Sequence, residues 1–266
     1  MPSTTPARIR STLGRMRPRE HGGWSLALEP VALGILAAPS WPGVALGAAV
    51  LAAFLARRPL QIVTGVSRQS DDPEKLTARH TLLFLALVAV ALVVVTAGFA
   101  GPRALWPLGL ALPPAALFLW LDAQGEARAA AAELAGTVAF ALLPAAFVSL
   151  HHGRPAAALA LSAVMAARSL PTVLALRVFL RRRKGQPIRV WVPMGAAAFT
   201  VAATIALASQ QRAPWLAPAF AFVFFLRTLW LFGPRPPALR ATRLGMLEAA
   251  LGAAFVIAVG LTWPQS

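Results

Sequence analysis

The sequence predicts an all-α protein, a polytopic transmembrane bundle of about nine helices with the N-terminus inside and the C-terminus outside. Three observations carry this. Hydrophobic residues make up 58% of the 266 positions and charged residues only 13%, with a mean hydropathy of +0.67; water-soluble domains are about a quarter charged. The apolar residues gather into nine runs at 24–40, 43–56, 81–100, 104–121, 134–150, 156–174, 191–209, 214–232 and 244–262, most of them near the roughly 20 residues that a helix needs to cross a bilayer. Lys and Arg fall almost entirely in alternate breaks between the runs. The composition excludes a disordered chain, and the lack of strand-like alternation excludes a membrane β-barrel.

The first run follows a segment carrying Arg8, Arg10, Arg15, Arg17 and Arg19. A basic start before an apolar run that ends Leu36-Ala37-Ala38 has the outline of a signal peptide. Glu29-Pro30 interrupts the run, however, and His21-Gly22-Gly23-Trp24 reads as a structured helix entry, so the segment is expected to be retained. The second run is short and can extend through Pro59 to Val66. The breaks Pro39-Ser40-Trp41-Pro42-Gly43, Gly101-Pro102 and Gly233-Pro234 carry turn chemistry. Pro113-Pro114 lies inside the fourth run, where two missing backbone donors predict a kink. The expected organisation is a basic cytoplasmic N-terminal segment at 1–23, a transmembrane helical domain at 24–262 and a short external tail at 263–266.

Of the 25 Lys and Arg residues, 21 lie at one end of the predicted bundle. They comprise the five N-terminal arginines, then Arg57, Arg58, Arg68, Lys75 and Arg79, Arg128 alone, Arg177 to Arg189, and Arg227, Arg235, Arg240 and Arg243. The other breaks hold Arg103, Arg154 and Arg212, and Arg168 sits inside a helix. Basic residues mark cytoplasmic loops, which sets the orientation. A net charge of +16 would suggest nucleic acid if it formed a folded basic surface. Spread over short loops it sets topology instead, and nucleic acid is excluded as a partner. With no Cys, disulfides, thiolate metal sites and cysteine nucleophiles are excluded too.

Ionisable residues at membrane depth are costly unless paired or hydrated, so they are the candidate functional residues. Glu29 lies one to two turns into helix 1 and Glu248 at a similar depth in helix 9. Glu133 starts helix 5, Arg168 lies about two turns from the cytoplasmic end of helix 6, and Arg57, Arg177 and Arg227 flank helices 2, 6 and 8. With His21, whose ring can transfer a proton or bind an anion, they are expected to line a polar cavity open to the cytoplasm. The rival reading is that Glu–Arg pairs pin helices together, or that arginines reach to the headgroups. Metal candidates are weaker: Asp71, Asp72 and Glu74 supply hard oxygen ligands but read more readily as a plain solvated loop, and so do Asp122 and Glu126. His151-His152 reads as a loop. Arg181-Arg182-Arg183-Lys184 reads as an anchor for anionic lipid headgroups. No phosphate-cradling glycine loop, serine–histidine–acid pattern or HExxH is present, and no cofactor is assigned.

Pro18-Arg19-Glu20-His21-Gly22-Gly23-Trp24 followed by Pro30 resembles the P-x-x-H-G-[AG]-W…P opening of the YwiC-like bacterial membrane proteins. The resemblance continues at Arg57-Arg58-Pro59, along the stretch from Arg168 to Arg181, and at Gly245-Met246-Leu247-Glu248, close to a G-[IM]-L-E motif. It implies a multi-pass protein of the bacterial inner (plasma) membrane and carries over His21, Gly22, Trp24, Pro30, Gly245 and Glu248, with little chemistry attached. In helix number and orientation the chain is also similar to the UbiA superfamily of intramembrane prenyltransferases, where two aspartate-rich loops hold magnesium against an isoprenoid diphosphate. Here the loop after helix 2 lacks the N-D-x-x-D spacing and the loop after helix 6 has no acid, so the similarity implies a bundle and not the metal site. Three functions stay open: an accessory membrane protein without catalysis, an enzyme modifying a prenyl- or quinone-type lipid, and a small-molecule transporter. The expected partners are the bilayer, its anionic headgroups and a lipid-like ligand.

Overall fold

The computed structural model describes residues 21–64, 72–233, 237 and 239–264, with side chains for all of these except 21–23, 72 and 73. Among the described residues there are nine α-helices and no strand: α1 His21–Ala37, α2 Trp41–Val63, α3 Asp72–Ala100, α4 Trp106–Ala123, α5 Ala130–Leu150, α6 Pro155–Arg183, α7 Trp191–Ser209, α8 Leu216–Phe232 and α9 Ala241–Leu261, with one 3₁₀ turn at Pro102–Leu105. Seven are long and apolar enough to cross a bilayer, while α1 and α8, at 17 residues each, are shorter.

The helices follow from the sequence in simple ways. Leu- and Ala-rich runs favour helix, and in hydrocarbon only a helix satisfies its own backbone. Ser40 caps α2 by accepting from the Gly43 amide at 3.1 Å, and proline occupies the first turn of α2, α4 and α6. Interior prolines leave gaps in the ladder that neighbours fill. Beside Pro144, Ser162 of α6 accepts from the Ala145 amide at 3.0 Å and donates to the Leu142 carbonyl at 3.1 Å. Helix α4 continues unbroken through Pro113 and Pro114.

Several bounds differ from the apolar runs. Helix α2 reaches Val63 through Pro59, α3 starts at Asp72 rather than near 81, and α6 runs to Arg183 rather than 174. Hydropathy marks the bilayer and not the helix: Arg and Leu sustain helix beyond the hydrocarbon, and cations suit a helix C-terminus. The end of α6 is set by Gly185, whose φ of 66° is the left-handed conformation glycine tolerates. There the Gly185 amide donates to the Arg182 carbonyl and the Gln186 amide to the Arg181 carbonyl, both at 3.1 Å, a Schellman stop. Gly125, with φ 80°, ends α4 the same way.

Sequential helices pack as hairpins, α2 with α3, α4 with α5, α5 with α6 and α7 with α8, and α9 closes the bundle by returning to α1. The main core joins α1, α5, α6, α8 and α9 through Leu33, Ala145, Leu161, Met165, Phe224, Phe255 and Val259. Phe147 of α5 is fully buried against Gly34 of α1, where a side chain would collide with its ring; small residues allow such close approach between membrane helices. Helix α3 is the opposite case. Only 6% of its apolar window is buried, and Phe84, Leu87, Val94 and Phe99 point outward, as suits contact with lipid. The connections α4–α5 and α6–α7 lie at one end of the bundle, the basic end, close to Arg57, Glu133 and Arg177.

Candidate functional site

Seven of the eight residues expected to share one cavity have described side chains, and these separate into two groups. Glu29 of α1, Arg168 of α6, Arg227 of α8 and Glu248 of α9 form a packed charged cluster. Arg168 Nη2 lies 3.4 Å from Glu29 Oε1 and donates to the Glu248 backbone carbonyl at 2.9 Å, while its Nη1 lies 3.7 Å from Glu248 Oε2. Arg227 Nε stands 3.1 Å from Glu248 Oε1. The Thr172 hydroxyl accepts from Arg168 Nη1 at 2.6 Å and from Arg227 Nη2 at 3.0 Å, and donates to the Arg168 carbonyl at 2.8 Å. Ser25 Oγ donates to Glu29, and the Arg168 guanidinium lies 4.6 Å from the centroid of the Phe224 ring.

Arg168, Arg227 and Glu248 are at most 6% exposed. Two carboxylates and two guanidiniums cancel formally, as burial demands, because an unpaired charge in an apolar interior is far costlier than a paired one. The pairing is ionic more than directional: among the described residues Arg227 Nη1 and both Glu248 oxygens lack an aligned hydrogen-bond partner. Gly252 completes the cluster. It lies one turn beyond Glu248, and a Cβ there would run into the Glu29 carboxylate and come within 2.8 Å of Arg168 Nη2.

The second group surrounds a cavity of about 1030 Å³ between α2, α4, α5 and α6, with Leu26 of α1 contributing. This is at the upper end of small-molecule sites, roughly 300–1,000 Å³. Its walls are apolar: Val50 and Phe54 from α2, Ala115 and Phe118 from α4, Phe140 and Leu143 from α5, Val173 and Leu176 from α6. Phe54 meets Trp24 and Phe140 edge-on at 5.2 and 6.4 Å. Its charged lining residues are Arg57, Arg128, Glu133, Arg177, Arg181 and Lys184, all toward the basic end. Arg177 Nη1 donates to Glu133 Oε2 at 2.6 Å and to the Arg128 carbonyl at 3.0 Å.

Arg57 spans from α2 to α4. Its Nε and Nη2 donate to the two Asp122 oxygens, each at 3.2 Å, and Gln61 Nε2 adds contacts at 3.0 and 3.1 Å. The Arg57 guanidinium also lies 4.8 Å from the Phe118 centroid. A two-pronged Arg–carboxylate contact is directional as well as charged. It ties together two helices that both face the cavity.

Of the expected cavity residues, then, Arg57, Glu133 and Arg177 line it, whereas Glu29, Arg168, Arg227 and Glu248 are packed together and are not among its lining. The side chain of His21, at the start of α1, lies outside the described residues, and so do Asp71 and the side chain of Asp72; Glu74 is half-buried in the first turn of α3. Among the described residues no three His, Asp or Glu come together as metal ligands. Asp122 and Glu126 do not share a helix face, because the Gly125 stop ends α4 between them, and Asp122 holds Arg57 instead. The partners not singled out from the sequence are Ser25, Thr172, Gly252, Gln61 and Phe118. All five were within reach, since Ser25–Glu29, Arg57–Gln61, Phe118–Asp122, Arg168–Thr172 and Glu248–Gly252 are each four residues apart, one turn along a single helix face.

A model of the family described as YwiC-like protein matches residues 17–149, half of the chain, from before α1 to the last turn of α5. No curated protein and no solved structure matches the chain.

Proposed function

The chain belongs to the YwiC-like family, and with its apolar helices it is a multi-pass membrane protein; we propose that it lies in the bacterial inner membrane with its basic end in the cytoplasm, and takes a lipid-like ligand into the cavity between α2, α4, α5 and α6. The observation that carries this is the cavity itself: about 1030 Å³ with walls of phenylalanine, leucine, valine and alanine, and charged groups confined to one end. Such a gradient matches an amphiphile lying along the bilayer normal, tail inward and head at the interface. A polar solute would find few partners along the Phe54–Phe118–Phe140 wall. The 21 cations of the predicted inner loops support the orientation.

The test is the lipid that travels with the protein. Mass spectrometry of the full chain purified in mild detergent should show a retained lipid-like molecule, and Ala115→Trp, which fills the chamber from α4, should reduce it at least tenfold while the protein stays monodisperse. Equal retention by parent and variant would overturn the reading.

A further inference from the structure

We infer that the mouth of this cavity is a phosphate site, and that its occupant is an amphiphile whose phosphate headgroup carries no compensating cation. This rests on the reading just given and narrows the class of ligand. Four cations that line the mouth besides Arg57 are contributed by two neighbouring segments, Arg128 from the α4–α5 turn and Arg177, Arg181 and Lys184 from the end of α6. Glu133 is the one acid of the lining, and Arg177 holds it at 2.6 Å. Arg128, Arg181 and Lys184 have no ion-pair partner among the described residues.

The charge balance discriminates between headgroups. A zwitterionic head would bring an ammonium to a rim whose single carboxylate is already engaged. A carboxylate head would neutralise one cation and leave the others facing each other. A phosphate carries a charge of about −1.5 to −2, and its oxygens match the fork of an arginine. Position agrees as well. At 1.5 Å per residue α6 is about 43 Å long, against a hydrocarbon core of about 30 Å, so its last turns stand at headgroup level.

Simple anchoring to anionic lipid would use the whole Arg181–Lys184 stretch alike. The structure divides it: Arg181 and Lys184 line the cavity, while Arg182 and Arg183, equally exposed in sequence between them, do not. That division supplies the control. With the full chain in nanodiscs of phosphatidylcholine, binding of single-chain lysophosphatidic acid is compared with that of lysophosphatidylcholine and monoacylglycerol. Lysophosphatidic acid should bind at least tenfold more tightly than either. The double variant R181A/K184A should lose that preference, and R182A/R183A should keep it. Absence of a preference, or equal loss in both double variants, overturns the phosphate site. Competition by inorganic pyrophosphate as strong as by lysophosphatidic acid overturns the amphiphile and assigns the site to a soluble phosphate. Ala115→Trp separates this from the parent reading: if monoacylglycerol binds, is blocked by Ala115→Trp, and phosphate adds nothing, the headgroup assignment alone has failed.

Discussion

Arg168 and Arg177 stand on one helix, nine residues apart, and their guanidiniums sit in opposite surroundings. Arg168 is 3% exposed, met by two carboxylates, a hydroxyl, a backbone carbonyl and a ring face. Arg177 is a quarter exposed at a cavity mouth and holds one carboxylate that is itself a third exposed. Both would be read from sequence as a cation near the inner end of helix 6. The difference shows that position along a membrane helix fixes only the depth of a charge. Whether the charge is locked into packing or offered to a ligand depends on which neighbours reach it. The cluster of α1, α6, α8 and α9 is closed on itself, and the group between α2, α4, α5 and α6 is open.

The sharpest way to break this comparison is to remove the hub of the closed half. Arg168→Ala leaves Glu29 and Glu248 without their shared cation, and breaking a buried pair from one side costs about 3–5 kcal/mol. Thermal unfolding of the purified protein should show a large fall in midpoint. A loss below about 1 kcal/mol would mean that the cluster is hydrated and belongs with the open half.

Gly252→Ala comes next. Its new Cβ meets the Glu29 carboxylate and Arg168 Nη2, and overpacking of this kind costs about 1–3 kcal/mol. Gly245, on the same helix with open space around it, is the control: Gly245→Ala should be neutral or slightly stabilising, since alanine favours helix by about 1 kcal/mol over glycine.

Arg57→Ala tests the tie between α2 and α4. Asp122 is buried but keeps the Gln61 amide, so the expected loss is about 1–2 kcal/mol. Limited proteolysis of the α4–α5 turn should become faster. An unchanged rate and stability would show that the α2–α4 gap is held elsewhere.

Smallest in stability is Arg177→Ala, because partly exposed pairs contribute only about 0–1 kcal/mol. It should nonetheless weaken lysophosphatidic acid binding severalfold while the melting temperature stays within error. A lowered melting temperature with unchanged binding would reverse the roles given to the two halves.

The helices were legible in the sequence because bilayer-length apolar runs leave few alternatives, and Glu29, Arg168 and Glu248 were legible as charges inside helices because ionisable residues stand out against such runs. The true lengths of α3 and α6 were not, since helix continues past the hydrocarbon wherever propensity and a suitable stop allow, as at Gly185. Nor was the division of seven candidate residues into a packed cluster and a cavity lining. That depends on the rotation of each helix about its axis, and runs that are apolar all round, such as α5, give little indication of which face turns inward. The four-residue spacings of Ser25, Thr172 and Gly252 were the missed clue: a small or hydroxyl residue one turn from a membrane-depth charge marks the face on which that charge is held.

Helix α6 unites the two halves mechanically. It is one continuous helix of 29 residues with Pro171 inside it, clamped at Arg168 by contacts from three other helices, with Arg181 thirteen residues further on. That distance is about 20 Å of helix, and Pro171 near its start is where such a helix can bend. A tilt of about 6° around the clamp therefore sweeps the Arg181 end through about 2 Å, enough to make or break a guanidinium–phosphate contact without any side chain in the clamp changing partners. The buried cluster is in this sense a fulcrum. Its tightness sets how finely the far end can be aimed, and slackening it by mutation should blur recognition at the mouth even where every residue of the mouth is intact.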